Sequence, residues 1–162
     1  MKPTLQIVLF EPLIPQNTGT IARLCAATYT ELHLIQPLGF ELSDRYLKRA
    51  GLDYWDEVIL FVHASWEAFL TATQASAETL WFFTKHSSSP YYNIEFKEGD
   101  FLVFGNETQG LPANIHERYS EQRYCIPMDN PNVRSLNLSN AASIVYYEAR
   151  RQLGTKWPVK PN

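Results

Sequence analysis

Three polar segments carry side chains that could bind or activate a polar substrate: Asn17 to Arg23, Phe104 to Pro112, and the stretch from Ile126 to Arg151. The third holds Ser135, Asn137, Ser139 and Asn140 just where a polar loop turns into a helix. Short side chains of this kind favour helix starts, because they satisfy backbone N–H groups that lack intrahelical partners. A helix needs one such cap. The surplus has two readings: redundant capping with turn chemistry, or a row of polar groups that faces a ligand beside the open helix N-terminus. Loop chemistry alone explains the glycines of the first two segments. It leaves Arg23, a guanidinium fork, and Glu107, a carboxylate following a strand and a glycine, unexplained.

Familiar nucleotide motifs do not apply. No GxGxxG is present, and GNETQG (Gly105 to Gly110) runs into Leu and Pro where a phosphate loop needs Lys and Ser or Thr. Cys25 and Cys125 lie far apart among apolar neighbours and form no CxxC, which favours buried reduced thiols over a bridge. His33, His63, His86 and His116 show no ligand spacing, so no metal is expected. A net charge of −3 and a pI near 5.8 argue against indiscriminate nucleic-acid binding. Local basic groups remain: Arg45, Lys48 and Arg49, and the set Arg150, Arg151, Lys156 and Lys160. An ordinary solvated face is the more frequent outcome for charges at such spacing. No basic leader with an apolar run and no apolar segment of membrane-spanning length occurs, so a soluble cytoplasmic protein without membrane association is expected.

The elements that must position these groups follow from periodicity. Apolar runs at Leu5 to Phe10, Leu32 to Ile35, Val58 to Val62, Leu80 to Thr84, Phe101 to Phe104 and Tyr124 to Ile126 read as strands. Between them, helices are expected from Asn17 or Thr18, over Asp44 to Ala50, over Ser65 to Ala72, and over Pro112 to Arg118. A last helix from about Asn137 to Leu153 places Leu138, Ala142, Val145 and Ala149 on one face. With 162 residues and 45% hydrophobic content, the chain fits a single domain, residues 1–162. The alternation of strand and helix predicts an α/β fold: a mainly parallel sheet with helices on both faces.

The polar segments also resemble a known family. NTGTIAR (Asn17 to Arg23), FGNETQGLP (Phe104 to Pro112), IPM from Ile126, and RSLNLSNA from Arg134 are similar to the ordered motifs of the SPOUT RNA methyltransferases. EPLIPQNTG, LHLIQPLGF, KRAGLDY and YEARRQLG resemble the TrmL (YibK-like) branch, tRNA (cytidine/uridine-2′-O-)-methyltransferases acting on the wobble nucleotide of leucine tRNAs. Trp55 stands where that pattern has histidine, Ala26 to Glu31 lacks a glycine, and DNPNVRS is slightly longer. Ser135 is therefore placed by aligning RS-x-N.

The resemblance implies a SPOUT α/β-knot with a C-terminal deep trefoil knot, S-adenosyl-L-methionine as methyl donor, a homodimer, and the tRNA anticodon stem-loop as partner. It implies Phe82, Gly105, Ile126 and Ser135 as donor contacts. For Phe82, a core position in its strand is an equal alternative. Arg23, Glu107 and Asn137 are the implied catalytic set. Methyl transfer from a sulfonium to a ribose hydroxyl needs no metal, only alignment and loss of the hydroxyl proton. A guanidinium stays protonated, so Arg23 is read as stabilising the developing alkoxide and holding a phosphate. Glu107 could orient Arg23 from the partner subunit, cap a turn or accept a proton; orientation is the reading adopted. Asn17 caps its helix or contacts ligand. Tyr46, Tyr54 and Trp55 could stack on unpaired bases beside the Arg45 group. Runner-up functions are 2′-O-methylation at another tRNA position or of rRNA, and a non-catalytic RNA-binding module.

Overall fold

The structure, a computed structural model, describes residues 4–154. The strands are β1 (Leu5–Phe10), β2 (Glu31–Ile35), β3 (Ile59–His63), β4 (Leu80–Phe83), β5 (Asp100–Phe104) and β6 (Arg123–Tyr124). The helices are α1 (Pro15–Thr28), α2 (Arg45–Gly51), α3 (Trp66–Thr73), α4 (Ala113–Arg118) and α5 (Leu138–Leu153), with a 3₁₀ helix at Leu52–Glu57 after α2. All six strands form one sheet in the order β3-β2-β1-β5-β4-β6, and every named pairing is parallel. Parallel strands covered on both faces are predominantly apolar, and β1 and β5, buried at every position with Gln6 and Asp100 as polar exceptions, are the two central strands.

Alternation along the strands sends side chains into two cores. On one face Ile7, Leu9, Leu102, Phe83 and Phe104 pack with Ile21 and Cys25 of α1 and with Ala142, Val145, Tyr146 and Ala149 of α5. On the other, Val8, Phe10, Phe82, Phe101 and Val103 pack with Trp66 and Phe69 of α3 and with Ile115 of α4. Helices therefore cover both faces, as the sequence pattern predicts. The chain steps outward from β1 to β3, then crosses to the other side of β1 for its second half. That reversal opens a crevice at the strand C-termini, where ligands of open α/β sheets bind.

Two boundaries beside the polar segments differ from expectation, each for a physical reason. α1 begins at Pro15, and its N-cap residue Ile14 makes no side-chain cap. Proline suits the first turn because its missing N–H is unneeded there. Asn17 is consequently inside the helix and buried. β6 ends at Tyr124; Cys125 makes only an isolated bridge to Pro90, because at this edge the sheet offers β4 alone as a neighbour. Cys25 is buried as expected, but Cys125 is half-buried; both are free, and burial pushes both thiols up. Of the expected basic groups, Lys156 and Lys160 lie outside the described residues.

A candidate methyl-donor cleft

The three polar segments meet. Beyond the C-termini of β4 and β5 lies a cleft of about 480 Å³, within the range of small-molecule sites. Phe83, Phe104, Leu111, Ile126, Leu138 and Ala141 supply its apolar surface. Polar groups come from Asn17, Thr84, Lys85, His86, Asn106, Glu107, Ser135 and Asn137.

Asn137 is the true cap of α5. Its Oδ1 accepts from the backbone N–H groups of Ser139 (2.9 Å) and Asn140 (3.4 Å), while its Nδ2 donates to Asn17 Oδ1 at 3.0 Å. Asn17 in turn donates to Glu107 Oε1 at 3.4 Å. The Glu107 carboxylate also accepts the N–H groups of Leu13 (2.8 Å) and Ile14 (3.0 Å), just ahead of α1. One chain of side chains thus ties the entry of α1, the loop after β5 and the cap of α5. A carboxylate at this place also complements the positive end of the α1 dipole. Of the roles considered for Glu107, capping is the one this geometry displays within a chain.

The loop from Gly105 to Gly110 is held by its own backbone. Asn106 and Gly110 exchange N–H···O bonds at 3.2 Å in both directions, and Asn106 Oδ1 accepts the Gln109 N–H at 2.8 Å. A Cβ on Gly105 would lie 2.3 Å from the Gly110 carbonyl carbon. The close approach that requires glycine is therefore the loop's own return, and Gly105 still lines the cleft. Gly110 adopts φ +66°, a left-handed conformation suited to glycine.

Gly105, Ile126, Ser135, Asn137 and Glu107 all line the cleft. Phe82 does not: it is fully buried on the opposite face of the sheet, stacked on Tyr119 with centroids 4.6 Å apart. The period-2 alternation of β4 points Phe83 to the cleft instead. Arg23 also stands apart from it. Its exposed guanidinium lies over the Tyr54 ring, 5.4 Å from the centroid, on the side of α1 that meets α2 and the 3₁₀ helix. Lys85, His86, Asn106 and Met128 line the cleft without having been singled out as donor contacts. For Lys85 and His86 the available signal was a polar loop directly after a strand.

Known proteins with this sequence and shape give the cleft a context. The SpoU rRNA methylase family model matches residues 4–147. A tRNA (cytidine(34)-2′-O)-methyltransferase of Saccharophagus degradans is 52% identical over 149 residues, 91% of this chain and 95% of that one. Its counterpart in Burkholderia cenocepacia is 48% identical over the same shares. A solved structure concerned with 2′-OH methylation of C/U34 on tRNA superposes with a TM-score of 0.84 at 47% identity, covering 93% of this chain and 96% of that one. An S-adenosylmethionine-bound rRNA methyltransferase of Sinorhizobium meliloti gives 0.82 at 26% identity, covering 94% of this chain and 58% of that one. With a family model spanning most of its length and relatives about half identical over nine-tenths of it, this chain belongs to the SpoU rRNA methylase family.

Proposed function

We propose that the chain transfers the methyl group of S-adenosylmethionine to the ribose 2′-hydroxyl of the wobble pyrimidine in tRNA, a cytidine or modified uridine, with leucine tRNAs as its substrates. The observation that carries this reading is the convergence of Gly105, Ile126, Ser135 and Asn137 on one cleft at the strand C-termini. The relatives named above support the choice of tRNA and of the wobble position.

The residues present fit the donor. The apolar surface of Phe83, Phe104, Ile126, Leu138 and Ala141 suits an adenine and a thioether-like chain, and Ser135 offers a hydroxyl at the same rim. Bound there, the donor supplies a methyl group on a positively charged sulfur. The chain's own task is to align the ribose oxygen with it and exclude water, and such alignment lowers barriers by on the order of 7–11 kcal/mol. Arg23 remains a cation throughout, so its part is to steady the developing alkoxide and hold an adjacent phosphate. The proton leaves by another group or by water.

Arg23 does not line its own cleft, so this reading includes a homodimer in which a second copy presents Arg23 to it. Leu13, Ile14, Leu136 and Ile144, exposed around the cleft and on the outer side of α5, support such a face. The knotted C-terminus belongs to the same proposal. β6 lies at the sheet edge beyond β4, yet α5 packs against α1 and β5, so the intervening loop returns across the end of β4.

Mass spectrometry of nucleosides from each leucine tRNA, with and without this protein, tests the proposal. Loss of the wobble 2′-O-methyl group on deletion is expected; unchanged wobble nucleosides would sink it.

A further inference from the structure

A second polar constellation joins the cleft and is assembled from three separate segments. His86, in the loop after β4, meets the ring of His116 on α4 edge-on, with centroids 5.5 Å apart. His116 Nδ1 lies 3.3 Å from Nη1 of Arg123 on β6. An arginine always donates, so this His116 nitrogen accepts, and the ring carries its proton on Nε2 and also hydrogen-bonds the Leu111 backbone, which fixes its orientation. Lys85, directly before His86, lines the cleft with it. Ser87 hydroxyl anchors the loop on the Arg123 carbonyl at 2.8 Å, and Ser88 and Ser89 follow, exposed.

The cluster is uncompensated. The ion pairs among the described residues are His33–Glu31, Arg118–Glu67 and Arg151–Glu148, and none includes Lys85, His86, His116 or Arg123. Burial chiefly, with Arg123 and His86 adding to it, holds the His116 pKa below its ordinary value. Arg123 uses Nε on the Ser120 carbonyl (3.4 Å) and Nη1 on His116; its Nη2 has no described protein acceptor. Two cationic side chains, Lys85 and Arg123, without an acid partner and with two imidazoles beside them at a cleft rim, suit an anion.

We infer that Lys85, His86, His116 and Arg123 form a phosphate-binding rim that holds the RNA backbone beside the nucleotide entering the cleft. This rests on the methyl-transfer reading, which supplies a polyanion whose ribose must reach the cleft while its phosphates remain outside. Mixed Lys, Arg and His donors with adjacent hydroxyls match a backbone contact, which positions a strand without reading its bases. The rim lies at the β4–β6 edge of the sheet, whereas the Arg45, Lys48 and Arg49 group is on α2, which packs on α1. A bound stem-loop is therefore gripped at this edge of the subunit.

The test uses the full chain and an anticodon stem-loop, with affinity measured by fluorescence anisotropy across a salt series. His116→Gln and Arg123→Gln are chosen because neither residue lines the cleft. RNA affinity is expected to fall, about tenfold in the double variant, with the salt slope reduced by about 0.7 for each lost single-strand phosphate contact. Affinity for S-adenosylhomocysteine, measured by calorimetry, stays within twofold, and Arg123→Lys retains most RNA affinity. Thermal unfolding confirms that the variants are folded; a misfolded glutamine variant is replaced by Arg123→Met. Unchanged RNA affinity and salt slope would overturn the inference, as would a loss of S-adenosylhomocysteine affinity that matches the loss for RNA. Wild-type protein that binds no RNA would remove both this inference and the methyl-transfer reading; wild-type binding with indifferent variants removes this inference alone.

Discussion

Glu107 shows how far residue type alone can lead. As a carboxylate after a strand and a glycine it reads as orienting Arg23, with capping and proton acceptance as alternatives, and both oxygens accept hydrogen bonds, from Leu13, Ile14 and Asn17. With both oxygens so engaged, the geometry has Glu107 holding the entry of α1. Replacing it with Gln leaves one acceptor and turns an amide N–H toward a backbone donor. Glu107→Gln is therefore expected to cost about 1 kcal/mol of stability, measured by urea unfolding. Full stability with abolished turnover would instead point to proton acceptance. Asn137 makes a parallel case. Asn137→Ala removes the α5 cap, worth about 1 kcal/mol, as well as the Asn17 bond. Asn137→Asp keeps the cap acceptor and loses only the donor to Asn17, so its unfolding midpoint should lie between wild type and the alanine variant. An aspartate variant no more stable than the alanine variant would contradict the capping role. The bonds that Asn17 makes to Glu107 and Asn137 could not be read from sequence, because both partners lie at least 90 positions away.

At the scale of elements, strands were legible because double-sided burial forces apolar runs, and β1 is identical to its expected span. Helix starts were less so. α1 takes its capping carboxylate from a loop across the sheet, which no local pattern records. The orientation of β4 was also hidden. Four consecutive apolar residues, Leu80 to Phe83, do not say which phenyl ring meets which face, and Phe82 went to the core with Tyr119. The Gly105–Gly110 loop gives a sharp element-level prediction. An alanine methyl at position 105 would sit 2.3–2.6 Å from the Gly110 and Leu111 backbone, which cannot rotate away. Gly105→Ala should destabilise by about 1–3 kcal/mol, as overpacked sites do, and weaken donor binding by shifting the loop. Wild-type unfolding with wild-type donor affinity would show that the loop has slack.

For the whole molecule, acid sensitivity is built into the sheet. His33 Nδ1 and His63 Nε2 are 2.9 Å apart, and His33 Nε2 faces Gln6 Oε1 at 3.2 Å, beneath Phe69 and Phe101. Burial, with His63 adding to it, lowers the His33 pKa to about 4, and burial lowers that of His63. Below about pH 6.5 the unfolded chain binds protons that the folded one refuses, so this contribution is complete above 6.5 and lost as pH falls toward 4. Glu31, raised by burial, works in the opposite direction near its own titration. Urea midpoints should fall between pH 6.5 and 5, with a flatter profile in His33→Gln/His63→Gln; a flat wild-type profile would refute this.

Methyl transfer to one ribose oxygen is the central claim, and it can be asked of the substrate directly. The purified chain is given S-adenosylmethionine and two synthetic leucine anticodon stem-loops, identical except that one carries a 2′-deoxy wobble nucleotide. Nuclease digestion and mass spectrometry then locate any added methyl group. The account predicts a 2′-O-methyl wobble nucleotide in the all-ribose RNA and no methylation of the deoxy RNA. Methylation of the deoxy RNA, or a methyl group elsewhere in the all-ribose one, would contradict it.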